Sequence, residues 1–298
     1  MNESLKPRFT ISQEQVQLTA HCPVRVQSLL VEGDVRAHDH SYYEIGVTRG
    51  GEAWHCTPGE KRQLSLGSVY VIAPGSAHSL RGVRQLGMTN VYYLNEWLLT
   101  ELRTLWDVDG LVPLFLASGL FRCAPPVMQF SLTTAELTAC EHELDDIVRE
   151  TVSENPSLVF LKAATLKLLT GLSRAYARNS GRVMGFTFRR EVWIALDSVE
   201  RCLTEHRPFG VQEIAKHCSV SVSQLRRLFR SATGWSPLEY FQRRRIQHAC
   251  AMLLNRQLSV TQVAQLLGFA DAAHLCRLFR RHQGLSPRQY RAQYLVDP

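Results

Sequence analysis

The sequence lacks any apolar run long enough to cross a membrane. Its longest, such as 68–74 (SVYVIAP), have the length of a β-strand, whereas a span needs roughly 18 to 20 residues. The opening MNESLKPRFTISQEQ is polar and has no apolar stretch of the kind that heads a secretory signal. A cytoplasmic protein with no membrane partner is therefore expected. Paired cysteine motifs are missing too: the eight cysteines, at 22, 56, 123, 140, 202, 218, 250 and 276, include no C-x-x-C pair. That spacing argues against a zinc ribbon or a disulfide framework and suits a reducing compartment. Acidic residues are scarce in the C-terminal part. Divided after Met184, the chain carries about −2 before and about +9 after. A near-neutral part joined to a basic one has the charge pattern of a sensor coupled to a nucleic-acid binder. A basic surface that serves only solubility would look the same.

What is present suffices for two or three compact units, since 298 residues exceed one ordinary domain. From about residue 24 to 94, short apolar segments alternate with turn residues: 42–48, a Gly50-Gly51 turn, 52–56, 69–73 and 88–94. Such runs predict an antiparallel barrel or sandwich. From Thr133 the period changes. Leu137, Cys140, Leu144, Ile147 and Thr151 line one helical face, with Thr133 and Glu136 as a capping box. A second helix, after Asn155-Pro156, carries Leu158, Leu161, Leu168, Leu169, Leu172 and Tyr176. Residues 178–185 (RNSGRVMG) read as a linker, and nearly everything from Arg189 onward reads as helix.

The C-terminal region repeats itself. Val211, Ile214 and Ala215 recur as Val260, Val263 and Ala264 at an offset of 49. Leu225, Phe229, Gly234, Ser236, Pro237 and Tyr240 recur as Leu275, Phe279, Gly284, Ser286, Pro287 and Tyr290 at 50. The extra residue falls in a turn, where insertion is tolerated best. Each copy has the parts of a helix-turn-helix. A short helix (Val211–His217; Val260–Leu266) carries an alanine that lets the next helix approach. An N-cap follows (Ser221; Asp271), then a second helix anchored by Leu225 and Phe229, or by Leu275 and Phe279.

Side chains between those anchors point outward and are rich in arginine, whose planar fork bonds guanine edges or phosphate oxygens in pairs. The N-terminal half of a recognition helix meets base edges and the remainder meets the backbone. Ser223, Arg226, Arg227 and Arg230 are accordingly the first reader's DNA-binding candidates, and Ala273, His274, Cys276, Arg277 and Arg281 the second's. A helical bundle with a charged, solvated face is the competing reading, and two matching copies weigh against it. A connecting helix over 237–255 has Pro237 in its first turn and Leu238, Phe241, Ile246, Ala249 and Leu253 on its apolar side. It would span about 28 Å, against roughly 34 Å for one turn of double-stranded DNA. Both readers then reach successive major grooves on one face. Arg243, Arg244 and Arg245 on that helix are phosphate candidates.

Two segments, GWSPLEYFQRRRIQHACAMLL and VAQLLGFADAAHLCRLFRRHQGLSPRQYR, carry a specific resemblance. Over about residues 190–292 the chain resembles the DNA-binding domain of AraC/XylS-type regulators. The resemblance implies a bacterial transcription factor, usually an activator that recruits RNA polymerase. The second reader departs from the pattern, with Ala272, Ala273 and Cys276 where polar residues are common. His274, Arg277 and contacts to thymine methyl groups are left to read bases there.

In the N-terminal part, Gly33-x4-His38-Asp39-His40-x3-Glu44-x5-Gly50 and then Gly67-x6-Pro74-Gly75-Ser76-Ala77-His78 resemble the two motifs of the cupin barrel. Sensor domains of AraC-type regulators commonly look like cupins. The adjacent Pro74-Gly75 leaves the direction of His78 open. His38 and His40 lie two apart on an extended segment and share a face. Glu44 shares it too if the strand is regular. With His78 they form a candidate metal site for a divalent transition ion such as Zn, Fe, Mn or Ni. Two other readings stay open. The same four groups are candidate effector-binding residues in a metal-free pocket, or structural histidines bonded to backbone. No cofactor is compelled by these residues.

Residues 88–94 (MTNVYYL) resemble a strand of sugar-responsive members, which makes a carbohydrate the first small-molecule effector to consider. Tyr42, Tyr43 and Trp54 are stacking candidates or barrel core. The stripe at 133–177 suits a homodimer interface, as in family members, with packing on the barrel of the same chain as the alternative for the second helix. Cupin enzymes use a similar constellation catalytically, but two DNA readers give a sensor a purpose and a catalyst none, so no enzyme is expected. The expected architecture is a cupin-like antiparallel β-barrel for effector sensing (1–130), a helical dimerisation and linker segment (131–184), and an all-α paired helix-turn-helix DNA-binding domain (185–298). A ligand-responsive activator of a metabolic operon is the expected function. A constitutive DNA binder with a vestigial barrel, and a metal-dependent cupin enzyme fused to a DNA-binding domain, are the alternatives.

Overall fold

The computed structural model describes residues 7, 9–19, 22–98, 105, 108, 110–116, 127–180, 189–205, 207–253 and 257–294. These form two compact units, the first within Met1–Asn95, Val108–Phe115 and Pro125–Met184, the second mainly within Gly185–Pro298. Among the described residues no helix is long and apolar enough to cross a membrane, and the cysteines are free thiols.

The first unit contains strands β1 (Phe9–Ile11), β2 (Val24–Val31), β3 (Val35–His40), β4 (Tyr43–Thr57), β5 (Glu60–Leu64), β6 (Ser68–Ile72) and β7 (His78–Tyr93). A short helix α1 (Leu111–Phe115) precedes the last strand, β8 (Val127–Ser131). The sheet runs β1-β3-β7-β4-β6-β8, with β2 beside β7 and β5 beside β4. The long strands β4 and β7 pair with each other and act as its spine. On its other edge β7 passes from β3 to β2, and β4 passes from β6 to β5, so both strands bend and the sheet rolls up. One pairing, β1 with β3, is parallel.

The expected Gly50-Gly51 turn is absent. β4 runs through it, with register shifts against β7 around Gly50 and Glu52. Gly51 has φ +71°, and a Cβ there would lie 2.1 Å from the Gln85 carbonyl oxygen. The glycine therefore serves a bulge, which bends a strand without reversing it.

Helix α2 (Thr134–Thr151) opens with the predicted capping box of Thr133 and Glu136. Arg178, near the end of α3 (Leu158–Ser180), donates to the same Glu136 carboxylate at 2.6 Å. That helix continues through the first three residues of the expected linker, and 181–188 lie outside the described residues. The apolar stripe is occupied within the chain. Cys140, Leu144 and Ile147 of α2 and Leu161, Leu168, Leu169 and Leu172 of α3 are buried, with α2 against β2 and α3 against β8. The stripe thus finds its partner surface inside the unit and is not available to a second chain. Leu158 stays outside this core, half-exposed.

The second unit contains α4 (Arg190–Thr204), α5 (Val211–His217), α6 (Val222–Thr233), α7 (Pro237–Leu253), α8 (Val260–Leu266), α9 (Ala272–Gln283) and α10 (Pro287–Tyr294). The repeated sequences fold alike, as α5-turn-α6 and α8-turn-α9. Ser221 and Asp271 accept from Gln224 N and His274 N, capping the second helix of each pair, and Gly234 and Gly284 end them in the left-handed conformation. Ser219 takes the left-handed position in the first turn and Gly268 in the second. The extra residue lies between that position and the N-cap.

Three consecutive arginines on α7 cannot all face solvent, because successive helical residues are about 100° apart. Arg244 is 0% exposed, its Nε and Nη2 donating to Glu200 of α4 at 2.7 and 2.9 Å and its Nη1 to Gln247 at 2.7 Å. Arg245 donates to the Leu267 carbonyl at 3.0 Å and lies 3.7 Å from the centre of the Phe269 ring. Both stabilise the bundle and neither is a phosphate contact. Arg243 covers the Trp235 ring at 4.2 Å. Leu238 is also displaced from its expected role, being 50% exposed. Removing one partner of the buried pair, by Glu200→Ala or Arg244→Ala, is expected to destabilise the second unit by about 3–5 kcal/mol, because a charge is left buried. Glu200→Leu with Arg244→Met should restore most of that. Denaturant unfolding checks both; a double variant no better than the singles contradicts the account.

Candidate functional site

In the second unit, α6 and α9 each divide into two faces. Leu225 and Phe229, and Leu275 and Phe279, are fully buried. Ser223, Arg226, Arg227 and Arg230 are exposed along one stripe of α6, with Arg230 near Glu239 at 3.4 Å. On α9, Ala273, Arg277 and Arg281 are exposed, whereas His274 and Cys276 are partly buried. The His274 ring meets Phe269 edge-on, at 5.5 Å between centroids, so this residue leans toward the core. Gln224, which the sequence reading passes over, is exposed in the first turn of α6. A glutamine there suits adenine; its position three residues after the N-cap Ser221 is the signal that could have found it.

In the first unit, His38, His40, Glu44 and His78 are all buried. Glu44 does not continue the strand of the two histidines. It lies on β4, beyond the turn after β3, so the four converge by sheet pairing and not by even spacing. His38 pairs with His78 across β3 and β7, while Glu44 pairs with Ile72 of β6 and Tyr92 of β7. His78 faces inward despite the adjacent Pro74-Gly75, and Gly75 N donates to the His40 carbonyl at 2.8 Å, tying that turn to β3. Ligand atoms of His38, Glu44 and His78 lie within 4.8 Å of one another. His40 stands to the side, its Nε2 3.3 Å from Glu44 Oε2 and its ring stacked on Tyr42.

Glu44 is the hub. Tyr70 Oη and Asn90 Nδ2 each donate to its Oε1 at 3.0 Å, and His78 Nε2 lies 4.0 Å from Oε2. Tyr70 reaches it over Gly46, where a Cβ would lie 2.2 Å from the tyrosine ring. Burial opposes charge on Glu44, but the His40 contact and the fields of His78, His40 and His38 outweigh it and hold the carboxyl at about 2. Burial, and secondarily Glu44, raises the phenols of Tyr70 and Tyr92, so that both stay protonated.

A fifth member, His55, is absent from the sequence reading. It is buried, stacked on Tyr70 at 4.4 Å, with Nε2 3.3 Å from His78 Nδ1. Burial pushes it down to about 4, and His78 is likewise held well below the usual histidine range. His55 lies an odd number of residues from Glu44, so regular alternation would turn it outward; the bulges of β4 reverse that. Trp54 is consequently half-exposed beneath Lys61, while Tyr42 and Tyr43 are core.

Residues 32–150 match the family described as AraC-like ligand binding domain, and residues 214–293 the one described as Helix-turn-helix domain. The chain is 26% identical over 270 residues to the HTH-type transcriptional activator RhaS of Citrobacter koseri, covering 90% of this chain and 92% of that one. It is 22% identical over 283 residues to the HTH-type transcriptional activator RhaR of Yersinia pestis, covering 94% and 93%. Among solved structures, the DNA-binding domain of AdpA, a global transcriptional factor, in complex with a target DNA is 34% identical. It covers 34% of this chain and 92% of that one, with a TM-score of 0.32.

Proposed function

The chain belongs to the AraC-type transcriptional regulators, and from that premise we propose that α6 and α9 read operator DNA while the first unit senses a small-molecule effector. The observation that carries this reading is the doubled, two-faced helix: each reader is capped, anchored by a buried Leu–Phe pair, and turned so that its arginines are exposed. At 17 residues α7 spans about 25 Å, which suits readers in successive major grooves. Arg226 and Arg227 are the base-reading candidates; Arg230 and Arg281, further along their helices, meet phosphates. The thin polar content of α9, Ala273 and Cys276 above all, makes the second half-site the less strictly read.

Unit one binds and does not catalyse in this reading. Effector binding favours one arrangement of the chain over another, which shifts a standing equilibrium and so the activation of transcription. A carbohydrate is the effector class to test first, on the resemblance of residues 88–94, which place Asn90 and Tyr92 beside Glu44. The donor set also fits a divalent transition ion: His78 Nε2 is buried with no hydrogen-bond partner among the described residues, and Glu44 supplies an anionic oxygen. His38, Glu44 and His78 would hold it, with His40 adjoining. When bound, such an ion would supply a fixed positive charge. The protein acts in the bacterial cytoplasm, recruits RNA polymerase, and divides its work among 1–130 for sensing, 131–184 for dimerisation and 185–298 for DNA. Since the α2–α3 stripe is buried, the dimer surface proposed is the exposed apolar group Val148, Val152, Leu158, Val159 and Phe160 at the bend between those helices.

Three outcomes are expected. In selection from a randomised operator library, Arg226→Ala or Arg227→Ala should relax base preference by about 1–3 kcal/mol at one position; uniformly weaker binding with unchanged preference would make them phosphate contacts. A thermal-shift screen against mono- and disaccharides should find a ligand that, at about 100 times its Kd, adds roughly 2.7 kcal/mol. No shift from any sugar removes the carbohydrate while leaving the DNA reading intact. Light scattering should give a dimer that Val159→Glu dissociates; a monomer throughout the micromolar range refutes the interface.

A further inference from the structure

The histidine cluster contains more order than four candidate ligands require. His38 Nδ1 is 2.9 Å from the Arg36 carbonyl oxygen and His40 Nδ1 is 2.7 Å from that of Tyr42. A carbonyl only accepts, so both Nδ1 atoms carry a proton and both Nε2 atoms are turned to the cluster. His40 Nε2 faces Glu44 Oε2 at 3.3 Å in a buried space, a pair that needs a shared positive charge, either a proton on the imidazole or a metal ion. The space between the ligand atoms, all within 4.8 Å, admits an ion and not a sugar ring.

The remaining histidine is settled through its neighbour. One of the facing nitrogens, His78 Nδ1 or His55 Nε2, 3.3 Å apart, must donate and the other accept. Donation by His78 Nδ1 to His55 Nε2 is the arrangement that leaves a lone pair on His78 Nε2, which is buried with no hydrogen-bond partner among the described residues and lies 4.0 Å from Glu44 Oε2.

We propose that His55 is a positioning residue that presents His78 Nε2, together with His38 Nε2 and Glu44 Oε2, to a single divalent transition-metal ion. Residues bonded to the outer nitrogen of a ligating histidine typically govern metal affinity by about 10–100-fold. Nothing in this proposal depends on the DNA-binding reading, and operator binding by the same preparations separates the two.

The test is titration of the metal-free full chain with Co(II), followed by its visible absorption and by competition with a chelating dye. The wild type should take up one Co(II) per chain with a d–d spectrum, and His78→Ala should abolish it. His55→Gln keeps an acceptor for His78 Nδ1 and should retain the spectrum within about tenfold of wild-type affinity, whereas His55→Leu should weaken binding about 10–100-fold. Comparing melting temperatures of the metal-free variants distinguishes loss of fold from loss of positioning. Absence of Co(II) uptake by the folded wild type overturns the site. Wild-type affinity and spectrum in a folded His55→Leu overturn the role of His55.

Discussion

Leu225 with Phe229, and Leu275 with Phe279, are fully buried, and their burial decides where every arginine of the reading helices points. Burying one such side chain contributes about 1.5–3 kcal/mol, so each helix has roughly 3–6 kcal/mol against turning about its axis. No exposed arginine contributes as much to the free chain. The outward stripe is therefore set by the apolar one, and its chemistry can vary, as it does between Ser223 on α6 and Ala273 on α9, without disturbing the fold. Glu200 and Arg244 act behind this arrangement, joining α4 to α7 through two hydrogen bonds.

The first unit is organised by the opposite kind of constraint. A buried carboxylate needs polar partners, and Glu44 collects them from three strands besides its own: Tyr70 of β6 and Asn90 of β7 donate to Oε1, while His40 of β3 and His78 of β7 stand beside Oε2. The polar cluster thus joins the strands that roll the sheet. A change of occupancy there would be felt along β4 and β7 together, which is the property a sensor requires.

The helical part was the more legible in the sequence because its signals are local. Caps at Thr133, Ser221 and Asp271, and the helices Val211–His217 and Val260–Leu266, follow from spacing alone and agree with the structure. The misreadings occur where partners are distant in sequence. Arg244 looks like any surface arginine until Glu200, 44 residues away, is placed beside it. His55 is concealed because bulges near Gly50 and Gly51 shift the alternation of β4, and period-2 reasoning cannot count residues that a bulge absorbs. Glu44 reached the cluster through a turn and a sheet register that a single-strand pattern does not contain. The α2 stripe was visible, but its partner, β2 of the same chain, was not.

The central claim is that one chain reads DNA with two helices held by α7. Hydroxyl-radical footprinting of the full-length protein on a selected operator tests it most directly. The account predicts, for each bound chain, two protected patches on one face of the duplex about one helical turn, roughly 10–10.5 base pairs, apart. A single patch per chain, or protection that does not depend on the operator sequence, would contradict it.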